Sequence, residues 1–326
     1  MSNECAVCYV SDLNFLLPSI ISATGVRKFV PPQKADIFIF TVGVDAEKIA
    51  QANILLSTYS IKVTAIQDEV FNEIDKERLT RTHTPMAMFG RLFMQNLLPP
   101  ECKRIVYLDG DTWIMRDPTP LIDAIVPEGF LAAAEDTIYF RQKFGIGSTT
   151  KEIRHYFSQI GLKENQGYFN SGVFATSRKT WEIISKEAYI YYINNAKICE
   201  HSPDQSALNA IISNRRLRLS NKWNFQTQLK IWDAHRYVKP IICHFNRQPK
   251  PWMGACEPWE EMFTEYQKAI KEFASLNLPI KILSKEEVEK ANESTKKSYS
   301  YLKLSLVSWL VLHLINFRNT EKTAWM

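Results

Sequence analysis

Glycine is scarce in this chain, 11 residues in 326. No Gly-x-Gly-x-x-Gly follows the first apolar run, and no Gly-x4-Gly-Lys-Ser/Thr occurs. Neither glycine-rich loop that cradles phosphates with backbone N–H groups is therefore present, which sets aside a nicotinamide dehydrogenase and a P-loop kinase. The six cysteines offer no zinc pattern. Cys5 and Cys8 have metal-like spacing, but no second Cys or His pair answers them, and they lie in an apolar run. They are expected to be small buried thiols in a first strand. No arginine-rich block or aromatic–basic recognition motif stands out, so no nucleic-acid partner is expected. The net charge of +5 suits a smaller anion or an acidic membrane surface. The opening Met-Ser-Asn-Glu lacks a basic segment followed by an apolar core. The expectation is a cytoplasmic protein without signal peptide or N-terminal anchor.

What is present is an alternation of two patterns. Strand-like runs fall at residues 6–10, 37–41, 61–66, 104–108, 131–135, 172–175 and 239–243. Helix-like spacing of apolar residues falls at 15–24, 46–59, 85–97 and 179–194. Such alternation predicts an α/β fold with a mainly parallel sheet covered on both faces. Ligands in these folds bind beyond the carboxyl ends of the strands. Asp12, Asp109, Glu135 and His244 all stand at or just after expected strand ends.

Two of those ends carry chemistry. Asp109-Gly110-Asp111 follows the run at 104–108. If the chain turns there, both carboxylates converge on one divalent cation, and hard oxygens suit Mg²⁺ or Mn²⁺, which can hold a diphosphate. Alone, the pattern is more often a solvated Asp-Gly turn. The second end is His244-Phe245-Asn246-Arg247-Gln248-Pro249-Lys250-Pro251-Trp252. Its His can offer a neutral nitrogen to a metal, and its Lys can reach a phosphate as a point charge.

Together with four further segments these resemble glycosyltransferase family 8, the retaining GT-A enzymes that include bacterial lipopolysaccharide galactosyl- and glucosyltransferases, glycogenin and galactinol synthase. The segments are Val10-Ser11-Asp12-Leu13-Asn14, Met88-Phe89-Gly90-Arg91-Leu92, Tyr168-Phe169-Asn170-Ser171-Gly172-Val173 and Asp204-Gln205-Ser206-Ala207-Leu208-Asn209. The resemblance runs from about Cys5 to Trp252. It implies a Rossmann-like GT-A domain over 1–255 and a small helical appendage over 256–326. It implies a UDP-sugar donor, UDP-galactose or UDP-glucose, and a glycan or glycolipid acceptor such as lipopolysaccharide. The metal ligands would be Asp109, Asp111 and His244, holding Mn²⁺ or else Mg²⁺. Asp12, Asn14, Arg91, Asp109, Gly110 and Lys250 would bind the nucleotide sugar. Asn170, Asp204, Gln205 and Asp136 would serve the transfer itself, although the adjacent Glu135 is not separable from Asp136 by sequence. A soluble member with a small or protein acceptor, and a non-catalytic nucleotide-sugar-binding protein, remain alternatives. One departure is Arg247, where the family usually has Gly; it would contact phosphate, crowd the loop or engage an acidic sugar.

The stretch 301–317 is apolar over a wide face and interrupted by Lys303, Ser305, Ser308, His313 and Asn316. Basic residues flank it. It is expected either to lie in an anionic bilayer interface on the inner face of the plasma membrane, or to pack as a core or dimer helix.

Overall fold

In β1 (Cys5–Ser11) every residue is buried. Cys5, Val7 and Tyr9 enter one apolar core while Ala6, Cys8 and Val10 enter another. That period of two is what a strand with both faces covered requires. A computed structural model describes residues 2–72, 74, 85–144, 148–163, 166–199, 202–212, 214–304 and 317–326. The other strands are β2 (Asp36–Thr41), β3 (Ile61–Ala65), β4 (Arg104–Leu108), β5 (Thr112–Ile114), β6 (Leu131–Glu135), β7 (Phe169–Ser177), β8 (Arg216–Leu219), β9 (Phe225–Gln226) and β10 (Ile242–His244). Seven of them form one sheet in the order β3-β2-β1-β4-β7-β6-β8. All neighbours run parallel except at β7, which is antiparallel to both β4 and β6. All six cysteines are free and buried, and burial pushes the Cys5 thiol up to about 12.

A smaller sheet, β5-β10-β9, positions the site. β10 runs antiparallel to β5, with His244 opposite Thr112, and parallel to β9. The expected strand at 239–243 thus begins later and belongs to this second sheet. Pro240 has no N–H to give a ladder, and Ile241 N–H instead bonds the Lys222 carbonyl. β5, β8 and β9 were not expected from the sequence.

The continuous helix expected at 85–97 is not formed. A helical turn at Ala87–Gly90 is followed by a turn and a 3₁₀ segment, Met94–Leu97. Beyond that helical turn the backbone bonds include i to i+3 contacts, as from Leu92 N–H to the Phe89 carbonyl. Gly90 weakens an α-helix by about 1 kcal/mol relative to Ala. It also sits so close to β1 that a Cβ would lie 2.6 Å from Val10 Cγ1. Phe89, Leu92 and Met94 are still buried, so the apolar spacing was real and the helix inferred from it was not.

Beyond Trp252, the helix Glu260–Glu272 seats Tyr266 against Trp113 and Trp252, at ring-centroid distances of 4.8 and 5.3 Å. A further helix spans Lys285–Leu304. Most of the 301–317 stretch lies outside the described residues, and among the described residues no helix is long and apolar enough to cross a membrane. Residues 317–322 are helical, and Phe317 is buried with its ring 5.9 Å from that of Phe140. The last residues then pair with β8: Trp325 N–H donates to the Arg218 carbonyl at 2.8 Å, and Ser220 N–H to the Met326 carbonyl at 2.9 Å. This covers part of an exposed sheet edge. Glu321 accepts from Asn221 N–H at 3.0 Å, from its side-chain amide at 2.8 Å, and from the Ser220 hydroxyl. Glu321→Ala should therefore lower unfolding free energy by about 1–3 kcal/mol, since those donors lose a charged acceptor. A urea titration unchanged by the substitution would mean that the tail rests on β8 without holding it.

Candidate active site

β4 ends at Leu108, where Asp109 N–H donates to the Gly172 carbonyl at 2.7 Å. Thr112 N–H returns to the Asp109 carbonyl at 3.2 Å, closing the turn that the Asp-Gly-Asp spacing suggested. Gly110 packs closely in that turn: a Cβ would lie 2.3 Å from Ser19 Oγ and would fit only if that hydroxyl turned away. Gly172 is required beside it, because a Cβ would lie 2.3 Å from His244 Cε1 and 2.6 Å from an Asp109 oxygen. With β5 leaving the turn and β10 pairing with β5, His244 Nε2 comes to 3.2 Å from Asp111 Oδ1 and 3.6 Å from Asp109 Oδ2. One ligand atom from each of the three residues lies within 4.8 Å of the others. Adjacent ligands of an octahedral Mg²⁺ or Mn²⁺ are separated by about 3 Å, so two carboxylates and an imidazole at these spacings fit such an ion.

Lys250 is buried, and its ammonium donates to Asp111 Oδ2 at 2.6 Å and to the Phe245 carbonyl at 2.6 Å. Burial pushes the Asp111 carboxyl up, but Lys250 and His244 outweigh it and hold the group well below the usual range. Arg91 is buried on the other side. It donates to Asp109 Oδ1 at 3.0 Å and to the Ser171 carbonyl at 2.9 Å, and its guanidinium lies 4.6 Å from the Tyr107 ring centre. Its Nε is 3.0 Å from Asp204 Oδ2 as an ion pair without hydrogen-bond alignment, and among the described residues that oxygen has no hydrogen-bond donor. Burial raises the Asp204 pKa, with Arg91 opposing.

Asp204 and Gln205 open the helix Pro203–Ile212, as expected. Gln205 Oε1 accepts from Ser171 N–H at 3.0 Å and its Nε2 donates to Asp136 Oδ2 at 3.1 Å. Asn170 donates to the same carboxylate oxygen at 2.9 Å. The neighbouring acids face different partners. Asp136 faces Asn170 and Gln205, while Glu135 is turned into a two-point ion pair with Arg216 at 2.6 and 2.8 Å. Arg247 donates to Gln228 Oε1 at 2.8 Å. The sequence reading missed Asn224, which is fully buried and bonded to both His244 and Asn170. The only signal available was local: an amide flanked by Trp223 and Phe225 must find partners inside the protein if those two rings are buried.

In front of these residues lies a cleft of about 240 Å³, lined by Asp12, Phe15, Met88, Arg91, Asp109 and Asp111 among others. A second hollow of about 310 Å³ shares Asp12, Pro85 and Ala87 with it, so the two form one trough. Asp12 caps the first helix, Leu13–Arg27, by accepting from Asn14 N–H at 2.9 Å and Phe15 N–H at 3.0 Å. Asn14 is exposed on the first turn of that helix and does not line the trough.

Residues 6–256 match the protein family described as glycosyl transferase family 8. The lipopolysaccharide glucosyltransferase WaaO of Escherichia coli is 24% identical over 257 residues, which cover 76% of this chain and 72% of that protein. General stress protein A of Bacillus subtilis is 26% identical over 225 residues, covering 62% and 72%. The crystal structure of galactosyltransferase LgtC in complex with donor and acceptor sugar analogs aligns with a TM-score of 0.66 at 21% identity, over 81% of this chain and 95% of that one. That likeness shows the fold, GT-A, and the family match over most of the chain shows its membership: this protein belongs to glycosyltransferase family 8.

Proposed function

We propose that this chain transfers a hexose from UDP-galactose or UDP-glucose to a hydroxyl of a glycan or glycolipid, such as a lipopolysaccharide, with retention of anomeric configuration. Mn²⁺ or Mg²⁺ would be held by Asp109, Asp111 and His244. The observation that carries this reading is the convergence of those three ligand atoms within 4.8 Å, with Asp109 and Asp111 lining the trough and His244 buried behind them. When bound, the ion supplies charge stabilisation to the departing diphosphate. The remaining work falls to fixed side chains. Lys250 places a buried positive charge beside Asp111, and Phe15 offers an aromatic face at the nucleotide end. Asp204 Oδ2, which has no hydrogen-bond donor among the described residues, would accept from a sugar hydroxyl. These groups are preorganised, so they need not reorient as charge develops.

Gln205 bears on the stereochemistry. Its amide oxygen is already occupied by Ser171 N–H, and an amide is a weak nucleophile. A covalent glycosyl-enzyme on Gln205 is disfavoured. The acceptor hydroxyl would instead attack from the face that the diphosphate leaves, with its proton passing to the diphosphate oxygen. A glycolipid acceptor also fits the basic-flanked apolar stretch at 301–317 read from the sequence. The test is donor turnover with and without EDTA, followed by the anomeric proton coupling of the product. Metal-dependent turnover and an α-linked product are expected. A β-linked product would exclude retention, full activity in EDTA would exclude the ion, and donor binding without turnover would leave a binding protein.

A further inference from the structure

Asn224 is fully buried behind His244. Its side-chain orientation follows from two anchors whose polarity is unambiguous. Gly172 N–H can only donate, and it donates to Asn170 Oδ1 at 3.0 Å. The Asp136 carboxylate accepts, and it receives Asn170 Nδ2 at 2.9 Å. Asn170 is thereby fixed with its oxygen towards Asn224. Asn224 must then present Nδ2 to that oxygen, which it does at 2.8 Å, leaving Oδ1 as an acceptor 2.9 Å from His244 Nδ1. An acceptor at Nδ1 requires a proton on Nδ1. The neutral ring therefore carries its lone pair on Nε2, the nitrogen that faces Asp109 and Asp111.

We propose that Asn224 is a positioning residue that sets the His244 ring tautomer for cation binding and joins that ring to the Asn170–Asp136–Gln205 group. The proposal rests on the cation reading above for its purpose, but its geometry stands apart from any ion. Without the Asn224 acceptor, the strongest partners left to the ring are the two carboxylates beside Nε2. A proton on Nε2 would serve them and would occupy the lone pair that a cation needs. The same amide is one polar link between the metal side of the trough and the residues beside Gln205, another running from Asp109 through Arg91 to Ser171. Partners of this kind typically account for 10–100-fold in metal affinity.

The experiment uses full-length, metal-free protein with ¹⁵N-labelled histidine, at an alkaline pH where the rings are neutral, with His244 assigned by comparison with His244→Gln. Long-range ¹⁵N–¹H spectra should show the Nδ1–H form in the parent protein and the Nε2–H form in Asn224→Ala. Mn²⁺ binding, read by the loss of free-ion EPR signal, should weaken about 10–100-fold in Asn224→Ala. Asn224→Asp retains an acceptor for Nδ1–H and loses the donor to Asn170. It should keep the Nδ1–H form and Mn²⁺ affinity close to the parent while donor turnover falls, and it keeps the test decisive if the Ala variant does not fold. An Nε2–H ring in the parent, an unchanged tautomer in Asn224→Ala, or equal Mn²⁺ losses in the two variants would overturn the proposal. A parent protein with the expected tautomers that ignores Mn²⁺ would overturn the cation reading instead.

Discussion

Asp111→Asn should lower metal-dependent turnover by on the order of 10²–10³-fold, the scale seen when a single preorganised charge-stabilising contact is removed. The substitution keeps shape and one hydrogen-bonding oxygen but removes the charge. That charge is secure in the parent protein. Burial works against it, but Lys250 at 2.6 Å and His244 at 3.2 Å hold the carboxyl well below its ordinary range. A depressed folded-state pKa contributes stability that is present above the unfolded value of about 3.9 and is lost only as pH falls through the folded one. Around neutral pH the ligand is therefore ionised, and acid inactivation between pH 7 and 5 should not originate at Asp111. In the variant, Lys250 keeps the Phe245 carbonyl but loses its counter-ion, so some stability is lost too. Calorimetry should show Mn²⁺-dependent UDP binding sharply weakened in a protein whose circular dichroism is native. An Asp111→Asn enzyme with near-parent activity would remove the metal assignment.

The parts of this site that were legible in the sequence are those set by local geometry. Two carboxylates either side of one glycine need only a turn to converge, and the turn is made within Asp109–Thr112. Asp204 and Gln205 needed only a helix start, which Ser202-Pro203 signalled. What was not legible depends on pairing between distant segments. β5, β8 and β9 have three, four and two residues, too short for alternation to register. The pairing of His244 with Thr112 crosses more than a hundred residues, and with the Phe245 and Lys250 bonds to Asp111 it turns two separate motifs into one site. The choice between Glu135 and Asp136 was invisible for a related reason. It is made by a register shift between Ala133 and Glu135 against β7, and by Arg216 arriving from β8 to take Glu135. The helix expected at 85–97 failed where a close approach to Val10 at Gly90 outweighed apolar periodicity. The tail of the chain was read by composition, and composition does not show that Glu321 and Trp325 return to the edge of the main sheet.

Arg91→Met should cost about 3–5 kcal/mol of folding stability, the usual result of removing one partner from a buried ion pair. The family resemblance assigns this residue to the sugar, but its geometry also makes it structural. Its side chain is 7% exposed and neutralises both Asp109 and Asp204 at 3.0 Å. Methionine retains an unbranched apolar stem over Tyr107, so the loss would come from charge and hydrogen bonds more than from packing. Lysine would restore a charge but cannot reach both carboxylates and the Ser171 carbonyl from one nitrogen, so Arg91→Lys should fall between the two. The pH dependence gives the more specific signature. Burial already raises the Asp204 pKa against the pull of Arg91, and without the guanidinium it rises further. An acid whose pKa is higher in the folded state costs stability in full above that pKa, and the cost declines as pH falls from there towards the unfolded value. The gap between parent and Arg91→Met should therefore narrow as pH falls from 7 towards 5. Urea titrations at both values measure it directly, and Mn²⁺ binding should weaken in parallel because Asp109 Oδ1 loses its charged donor and keeps the Tyr107 hydroxyl. A gap that stays constant with pH would mean that Asp204 remains ionised without Arg91, and that another cation compensates it in the folded protein.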